Sequence, residues 1–147
     1  MKLNILVVDD DKLVNAFLTE TLARTGCHVE SVLSGEEALE RISQRTYDVM
    51  VSDIKMKEMD GITLLQKAKE ILPELIAIMI TAYGTVENAV KAMKLGAYDY
   101  LLKPISPDAI ELLLVRVSEL INLRRENRQL RSDLISQFQN IVGTGLS

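Results

Sequence analysis

The chain is poor in cysteine and proline and has no long apolar run. It contains one cysteine, Cys27, so no internal disulfide can form, which favours a reducing compartment. Three prolines and an apolar fraction of 48% argue against a disordered chain. No apolar run approaches the roughly 20 residues that a membrane-spanning helix needs. These scarcities leave a globular protein.

Positive charge is not in excess either. The formal net charge is −4 at pH 7, whereas a surface that binds nucleic acid is normally basic. The N-terminal apolar stretch is too short for a signal peptide and runs straight into three aspartates. We therefore expect a cytoplasmic protein in which this chain makes no direct contact with nucleic acid or with a membrane.

Apolar runs alternate with helical patterns along the chain. Five short apolar runs predict strands at residues 3–8, 28–33, 49–52, 75–80 and 98–102. The helix signals between them agree, since Ser34 and Glu37 form a capping box and Pro107 stands at a first helical position. Strict alternation with short links predicts an α/β fold, a doubly wound parallel sheet of five strands with helices on both faces.

Chemically matched polar residues stand at four predicted strand ends. They are Asp9 and Asp10, Asp53, Thr81, and Lys103. The carboxyl ends of parallel strands meet at one edge of the sheet, where ligands bind. Three carboxylates at that edge would repel one another unless a cation neutralised them, and oxygen ligands of this kind suit Mg²⁺. A carboxylate surrounded by Mg²⁺, an ammonium and a hydroxyl is suited to accepting a phosphoryl group.

Each of these residues also has a simpler explanation when it is taken alone. Asp53 could begin a turn, and Asp9 and Asp10 could cap the first helix. Thr81 could be an ordinary strand residue and Lys103 a solvated one. The shared chemistry of four strand ends favours the site.

Four motifs resemble, in order and spacing, the signature of response-regulator receiver domains across roughly residues 3 to 120. They are residues 6–10 (Leu-Val-Val-Asp-Asp), 52–56 (Ser-Asp-Ile-Lys-Met), 81–82 (Thr-Ala) and 100–104 (Tyr-Leu-Leu-Lys-Pro). The resemblance implies a CheY-like fold with strand order 2-1-3-4-5. It also implies that Asp53 accepts a phosphoryl group from a sensor histidine kinase.

The resemblance implies further roles by position. The residues that would hold Mg²⁺ are Asp10 and Asp53 directly, Asp9 through water, and Lys55 through its carbonyl. Thr81 would bond the phosphoryl group, and Lys103 would pair with it. Tyr100 matches an aromatic switch that turns inward when Thr81 is drawn to the phosphate, and the bond before Pro104 is usually cis in this family. Such a domain is not a conventional enzyme, since it only phosphorylates and dephosphorylates itself and then changes conformation.

The sequence departs from the family pattern in two places. Lys57 stands where the family usually has proline, which predicts a more mobile loop with extra positive charge. Asp11 adds a third acid to the first cluster, for which a helix cap is the simplest role.

The C-terminal pattern predicts a long helix, because helix formers run from Glu111 to Leu134 without glycine or proline. A heptad repeat places one set of residues on a single seam: Leu113, Leu120, Leu123, Asn127, Leu130 and Leu134. Glutamates at g positions and arginines at e positions favour a parallel two-stranded coiled coil, hence a homodimer. The alternative is a solvated amphipathic helix that leads into a linker.

Residues 138–145 resemble the opening of the ATPase domain in sigma-54-dependent, NtrC-type activators. The expected organisation is therefore a receiver domain at 1–120, a linker or coiled-coil helix at 121–137, and the start of an ATPase domain at 138–147. Downstream ATPase and DNA-binding domains would then control transcription. The chain contains no phosphate-binding loop motif, so we expect it not to hydrolyse ATP. Its pattern predicts no helix-turn-helix, so we expect it not to bind DNA.

Two other functions compete with the phosphorylation switch. One is a Mg²⁺-dependent phosphohydrolase that acts through an aspartyl phosphate, but its signature has a second Asp two residues after the nucleophile, where this chain has Lys55. The other is a receiver-like scaffold that takes no phosphate, against which the complete acidic set, Thr81 and Lys103 all argue.

Overall fold

The computed structural model describes residues 2–145, with side chains for residues 2–139. Strands and helices alternate as predicted: β1 (Asn4–Val8), α1 (Lys12–Ala23), β2 (His28–Val32), α2 (Gly35–Gln44), β3 (Val49–Asp53), α3 (Gly61–Ile71), β4 (Ile76–Thr81), α4 (Val86–Lys94), β5 (Asp99–Leu102) and α5 (Pro107–Gly145). The chain divides into two compact units, one ending at Glu111 and the other beginning at Leu112. The whole sheet belongs to the first unit.

All five strands are parallel, in the order β2-β1-β3-β4-β5, which confirms the predicted fold. The register aligns the strand ends. Val8 lies opposite Ser52, Asp53 opposite Ile80, and Thr81 opposite Leu102. The residues that close strands β1, β3, β4 and β5 therefore come to one edge of the sheet.

The core of the first unit lies between the sheet and helices α2, α3 and α4. Leu6 and Met50 from the strands pack with Leu64 and Leu65 of α3, and all four are fully buried. Each such side chain contributes about 1.5–3 kcal/mol on leaving water. This packing fixes the sheet against its helices, so that the strand ends keep a fixed spacing.

Helix α1 carries more apolar residues than it buries. Leu18 and Leu22 are buried, whereas Leu13 is 83% exposed and Phe17 is 45% exposed. Asn15 of the same helix is polar but buried. The apolar spacing of α1 thus serves two purposes, since part of it faces the core and part lines the surface.

Side-chain caps fix the beginnings of the helices near the site. Asp11 accepts hydrogen bonds from the backbone N–H groups of Leu13 and Val14, as its predicted role as a cap requires. Ser34 accepts from the N–H of Glu37, which confirms that cap. Caps of this kind stabilise a helix by about 1 kcal/mol each.

Helix α5 is longer than its sequence pattern predicts, because it continues to Gly145 rather than ending near residue 137. A single glycine such as Gly143 costs about 1 kcal/mol in a helix and does not by itself end one. Of the expected ATPase-domain segment 138–147, residues 146–147 and the side chains of 140–145 lie outside the described residues. Among the described helices, α5 included, none combines the length and hydropathy needed to cross a membrane.

Candidate functional site

Asp9 follows β1 directly and is almost completely buried, with 1% of its surface exposed. Its Oδ1 accepts the backbone N–H of Asp11 at 2.9 Å, and its Oδ2 accepts the ammonium of Lys103 at 3.0 Å. The amide of Asn15 donates to the carbonyl oxygens of Asp9 and Val32 at 3.1 and 2.8 Å. Both carboxylate oxygens of Asp9 are therefore already engaged within the protein.

Asp53 is the last residue of β3 and is 8% exposed. Its Oδ2 lies 3.3 Å from Nζ of Lys103, and its Oδ1 accepts a long hydrogen bond of 3.4 Å from the backbone N–H of Lys55. Helix α3 begins so close behind that a Cβ on Gly61 would overlap the carbonyl oxygen of Asp53. Glycine at this position lets α3 start directly behind the acidic residue.

Asp10 completes the acidic cluster and is only half-buried. Its Oδ2 accepts the backbone N–H of Lys57 at 3.1 Å, across the loop that follows β3. Asp9, Asp10 and Asp53 each offer a carboxylate oxygen within 4.8 Å of the others. An all-oxygen donor set at this spacing fits a hard divalent cation such as Mg²⁺.

Burial and charge shift the pKa values at the centre of the cluster. Burial raises the pKa of Asp53 above its usual range, and the charge of Asp9 raises it further, while Lys103 opposes both. For Lys103, burial alone would lower the pKa, but the hydrogen bond to Asp9 and the charge of Asp53 outweigh it. Lys103 therefore stays an ammonium, held between two carboxylates.

The remaining predicted residues stand at the ends of β4 and β5. Thr81 is fully buried, and its Oγ1 accepts the backbone N–H of Tyr83 at 3.1 Å. The hydroxyl of Tyr100 is buried and makes no hydrogen bond within the described part of the chain. The peptide bond between Lys103 and Pro104 is cis. The structure thus brings Asp9, Asp10, Asp53 and Lys103 into one cluster and places Thr81 on the adjacent strand.

Sequence reasoning missed two groups that shape this site. Asn15 is one, since an asparagine inside a helix gives no sign that its amide will be buried against a strand end. The other is the backbone N–H of Lys57, because sequence motifs are defined by side chains and not by backbone groups. The absence of proline at position 57 is the one signal that could have indicated a free donor there.

An apolar groove of about 530 Å³ lies beside Lys103. Its lining residues come from α1 and from the ends of β4 and β5: Leu13, Val14, Phe17, Leu18, Ile80, Ala82, Lys103, Pro104 and Ile105. Leu13 and Phe17, the exposed apolar residues of α1, therefore share this groove with Lys103.

Comparison with known proteins agrees with this geometry. Residues 5–114 match the response regulator receiver domain family. The chain is 32% identical to a putative NtrX-like response regulator of Rickettsia felis, over 99% of this chain and 31% of that protein. It is 36% identical to the transcriptional regulatory protein ZraR of Salmonella typhimurium, over 93% of this chain and 31% of that protein. The chain thus spans about a third of the length of these curated relatives.

Solved structures give the same result. NtrX from Brucella abortus, crystallised with ADP, superposes with a TM-score of 0.82 at 33% identity, covering 88% of this chain and 30% of that one. A CheY-like receiver domain protein from Methanospirillum hungatei superposes with a TM-score of 0.76 at 32% identity, covering 81% and 96%. The chain belongs to the response regulator receiver domain family and is the receiver domain of a two-component response regulator.

Proposed function

We propose that Asp53 is the phosphoacceptor of this receiver and that it takes its phosphoryl group from a sensor histidine kinase. The observation that carries this proposal is the position of Lys103, whose ammonium lies 3.3 Å from Asp53 and 3.0 Å from Asp9. A positive charge at this position can stabilise the negative charge on the incoming phosphoryl oxygens.

The three carboxylates would hold Mg²⁺ in unequal ways. Asp10 and Asp53 would be the direct ligands, with the carbonyl of Lys55 as a third. Asp9 would act through water, as its position in the family pattern implies, while its two oxygens accept hydrogen bonds from the Asp11 N–H and the Lys103 ammonium. When bound, Mg²⁺ neutralises charge on the phosphoryl oxygens.

The transfer is a single in-line displacement. An ionised carboxylate oxygen of Asp53 attacks phosphorus while the bond from phosphorus to the histidine nitrogen breaks. The imidazole keeps the electron pair, and Asp53 becomes an acyl phosphate. Lys103 loses its partner charge on Asp53 and turns to the phosphoryl oxygens. Water later attacks the same phosphorus and the bond from phosphorus to the Asp53 oxygen breaks, which releases inorganic phosphate and restores the carboxylate.

Thr81 and Tyr100 would convert this chemistry into a change of shape. The hydroxyl of Thr81 accepts from Tyr83 and keeps its own proton available for a phosphoryl oxygen. Movement of Thr81 toward that oxygen would free space into which the partly buried ring of Tyr100 can turn. The output is then a shift between two conformations of the domain.

The apolar groove beside Lys103 supports a protein phosphodonor. Leu13 and Phe17 expose apolar surface in the groove that Lys103 also lines, and a small-molecule donor needs no such surface. The apolar face of a kinase helix that presents a phosphohistidine fits such a surface.

The C-terminal helix would join two copies of the chain. Leu123, Leu130 and Leu134 on the predicted seam are each more than half exposed. Phosphorylation would act through this homodimer on a downstream sigma-54-activator ATPase and its DNA-binding domain in the full-length protein, and so on transcription.

Intact mass after incubation with acetyl phosphate tests the central proposal. The wild type should gain one phosphoryl group with Mg²⁺ and none without it, and Asp53→Asn should gain none. A wild type that stays unlabelled under conditions that label an established receiver would overturn the proposal. Sustained release of phosphate from a small phosphoester would instead support a phosphohydrolase.

A further inference from the structure

The loop after β3 is tied to the acidic cluster by two backbone amides. The N–H of Lys57 donates to Oδ2 of Asp10 at 3.1 Å, and the N–H of Lys55 donates to Oδ1 of Asp53 at 3.4 Å. The two donors are two residues apart, and each takes a different carboxylate. This part of the loop therefore turns two of its backbone amides toward the cluster.

The bond from Lys57 is the one that holds Asp10. Asp10 is half-buried, whereas Asp9 and Asp53 are buried and share the ammonium of Lys103. No other hydrogen bond to the Asp10 carboxylate is found within the described residues. Without the Lys57 amide, this side chain would rotate more freely.

We propose that the backbone N–H of Lys57 is a positioning group that orients the Asp10 carboxylate for Mg²⁺. This inference rests on the proposed role of Asp10 as a metal ligand. One N–H occupies only part of the acceptor capacity of a carboxylate, so Asp10 keeps lone pairs for the metal. A ligand that is already oriented loses less rotamer freedom when the metal binds.

The expected loss of Mg²⁺ affinity can be estimated from other hydrogen bonds to metal ligands. Removing a hydrogen-bond partner of a metal ligand typically weakens metal affinity by about 10–100-fold. Here one amide is lost from a half-exposed carboxylate, so we expect the lower end of that range.

Two substitutions at one position separate the amide from the side chain. Lys57→Ala keeps the N–H and removes the charge, while Lys57→Pro removes both. Since the lost positive charge lay near a cation site, Lys57→Ala should bind Mg²⁺ as tightly as the wild type or slightly more so. Lys57→Pro should bind it about tenfold more weakly than Lys57→Ala.

The measurement is a Mg²⁺ titration of the unphosphorylated chain, followed by calorimetry and by amide chemical shifts. Equal affinities for the alanine and proline variants would overturn the proposal. A wild type that binds no Mg²⁺ would instead overturn the metal site itself, so the two failures are distinguishable.

A second measurement decides the matter where the proline variant does not fold. Hydrogen exchange should show the Lys57 amide protected in the wild type, and Asp10→Ala should remove that protection. An amide that exchanges equally fast in both proteins would contradict the assigned bond.

Discussion

Gly61 stands beside the site at a position with no room for a side chain. A Cβ there would overlap the carbonyl oxygen of Asp53 and lie 2.8 Å from Cα of Ile54, and neither backbone atom can move freely. We expect Gly61→Ala to lower the free energy of unfolding by about 3 kcal/mol and to slow phosphorylation. Urea denaturation measures the first effect.

Gly35→Ala is the matched control for this substitution. A Cβ on Gly35 would meet only the flexible side chain of Met59, with Sδ at 2.9 Å. That side chain can turn away, so the cost should stay below about 1 kcal/mol. Equal destabilisation by the two substitutions would contradict the proposed rigidity behind Asp53.

Asp53 should destabilise the folded chain at neutral pH. Its pKa is raised in the folded state, chiefly by burial, so ionisation favours the unfolded chain. Below the unfolded pKa both states are protonated and Asp53 has no effect. As pH rises from the unfolded pKa through the folded pKa, stability is lost.

Asp53→Asn removes this ionisation, so the variant should be more stable than the wild type at pH 7 without Mg²⁺, by about 1 kcal/mol. The advantage should shrink and vanish as pH falls below the range in which a free aspartate titrates. Thermal melts across that range measure it. A gap between variant and wild type that does not depend on pH would show that burial of the charge is not the cause.

The side chains of the site could largely be predicted from the sequence, because each stands where a strand ends and parallel strands end together. The amide of Asn15 and the N–H of Lys57 could not. Their roles depend on the distance between loops that are far apart in sequence, which a local pattern does not contain.

At the scale of the element, helix α5 offers a direct test of the coiled-coil seam. Leu130 and Ile135 are 59% and 57% exposed, but only Leu130 lies on the predicted seam. Leu130→Asp should weaken dimerisation at least about a hundredfold, since each chain would lose the burial of one leucine at about 1.5–3 kcal/mol. Ile135→Asp should change it little.

Sedimentation over a range of concentrations gives both dissociation constants. Equal effects of the two substitutions would favour the alternative of a solvated helix with no seam. A monomeric wild type at every concentration would exclude the homodimer outright.

Element order and type followed from the sequence because the alternation of apolar runs with helical spacing has one simple solution. The residues at which helices and strands end were harder to predict from the sequence. Helix α5 passes Leu134 and reaches Gly145, since glycine lowers helix stability without forbidding the conformation. The apolar residues of α1 likewise showed a helix but not which of them would stay exposed.

At the scale of the whole molecule, Mg²⁺ should stabilise the fold by linkage, because its proposed site is a cluster that the unfolded chain lacks. At about a hundred times its dissociation constant it should add about 2.7 kcal/mol. For a chain of this size the melting temperature should rise by roughly 5–10 °C. The same addition to Asp10→Ala should have little effect, and an equal rise in both would show that Mg²⁺ acts elsewhere.

The bond from Lys103 to Asp9 joins residues 94 positions apart, and the bond to Asp53 spans 50. Contacts between distant parts of a chain form late in folding, because the loop between them must close first. Lys103 also follows β5, which is the last strand of this sheet in chain order. A chain that is still being made, or one whose sheet is incomplete, therefore lacks the ammonium that the reaction needs. The receiver can report a signal only after it has finished folding.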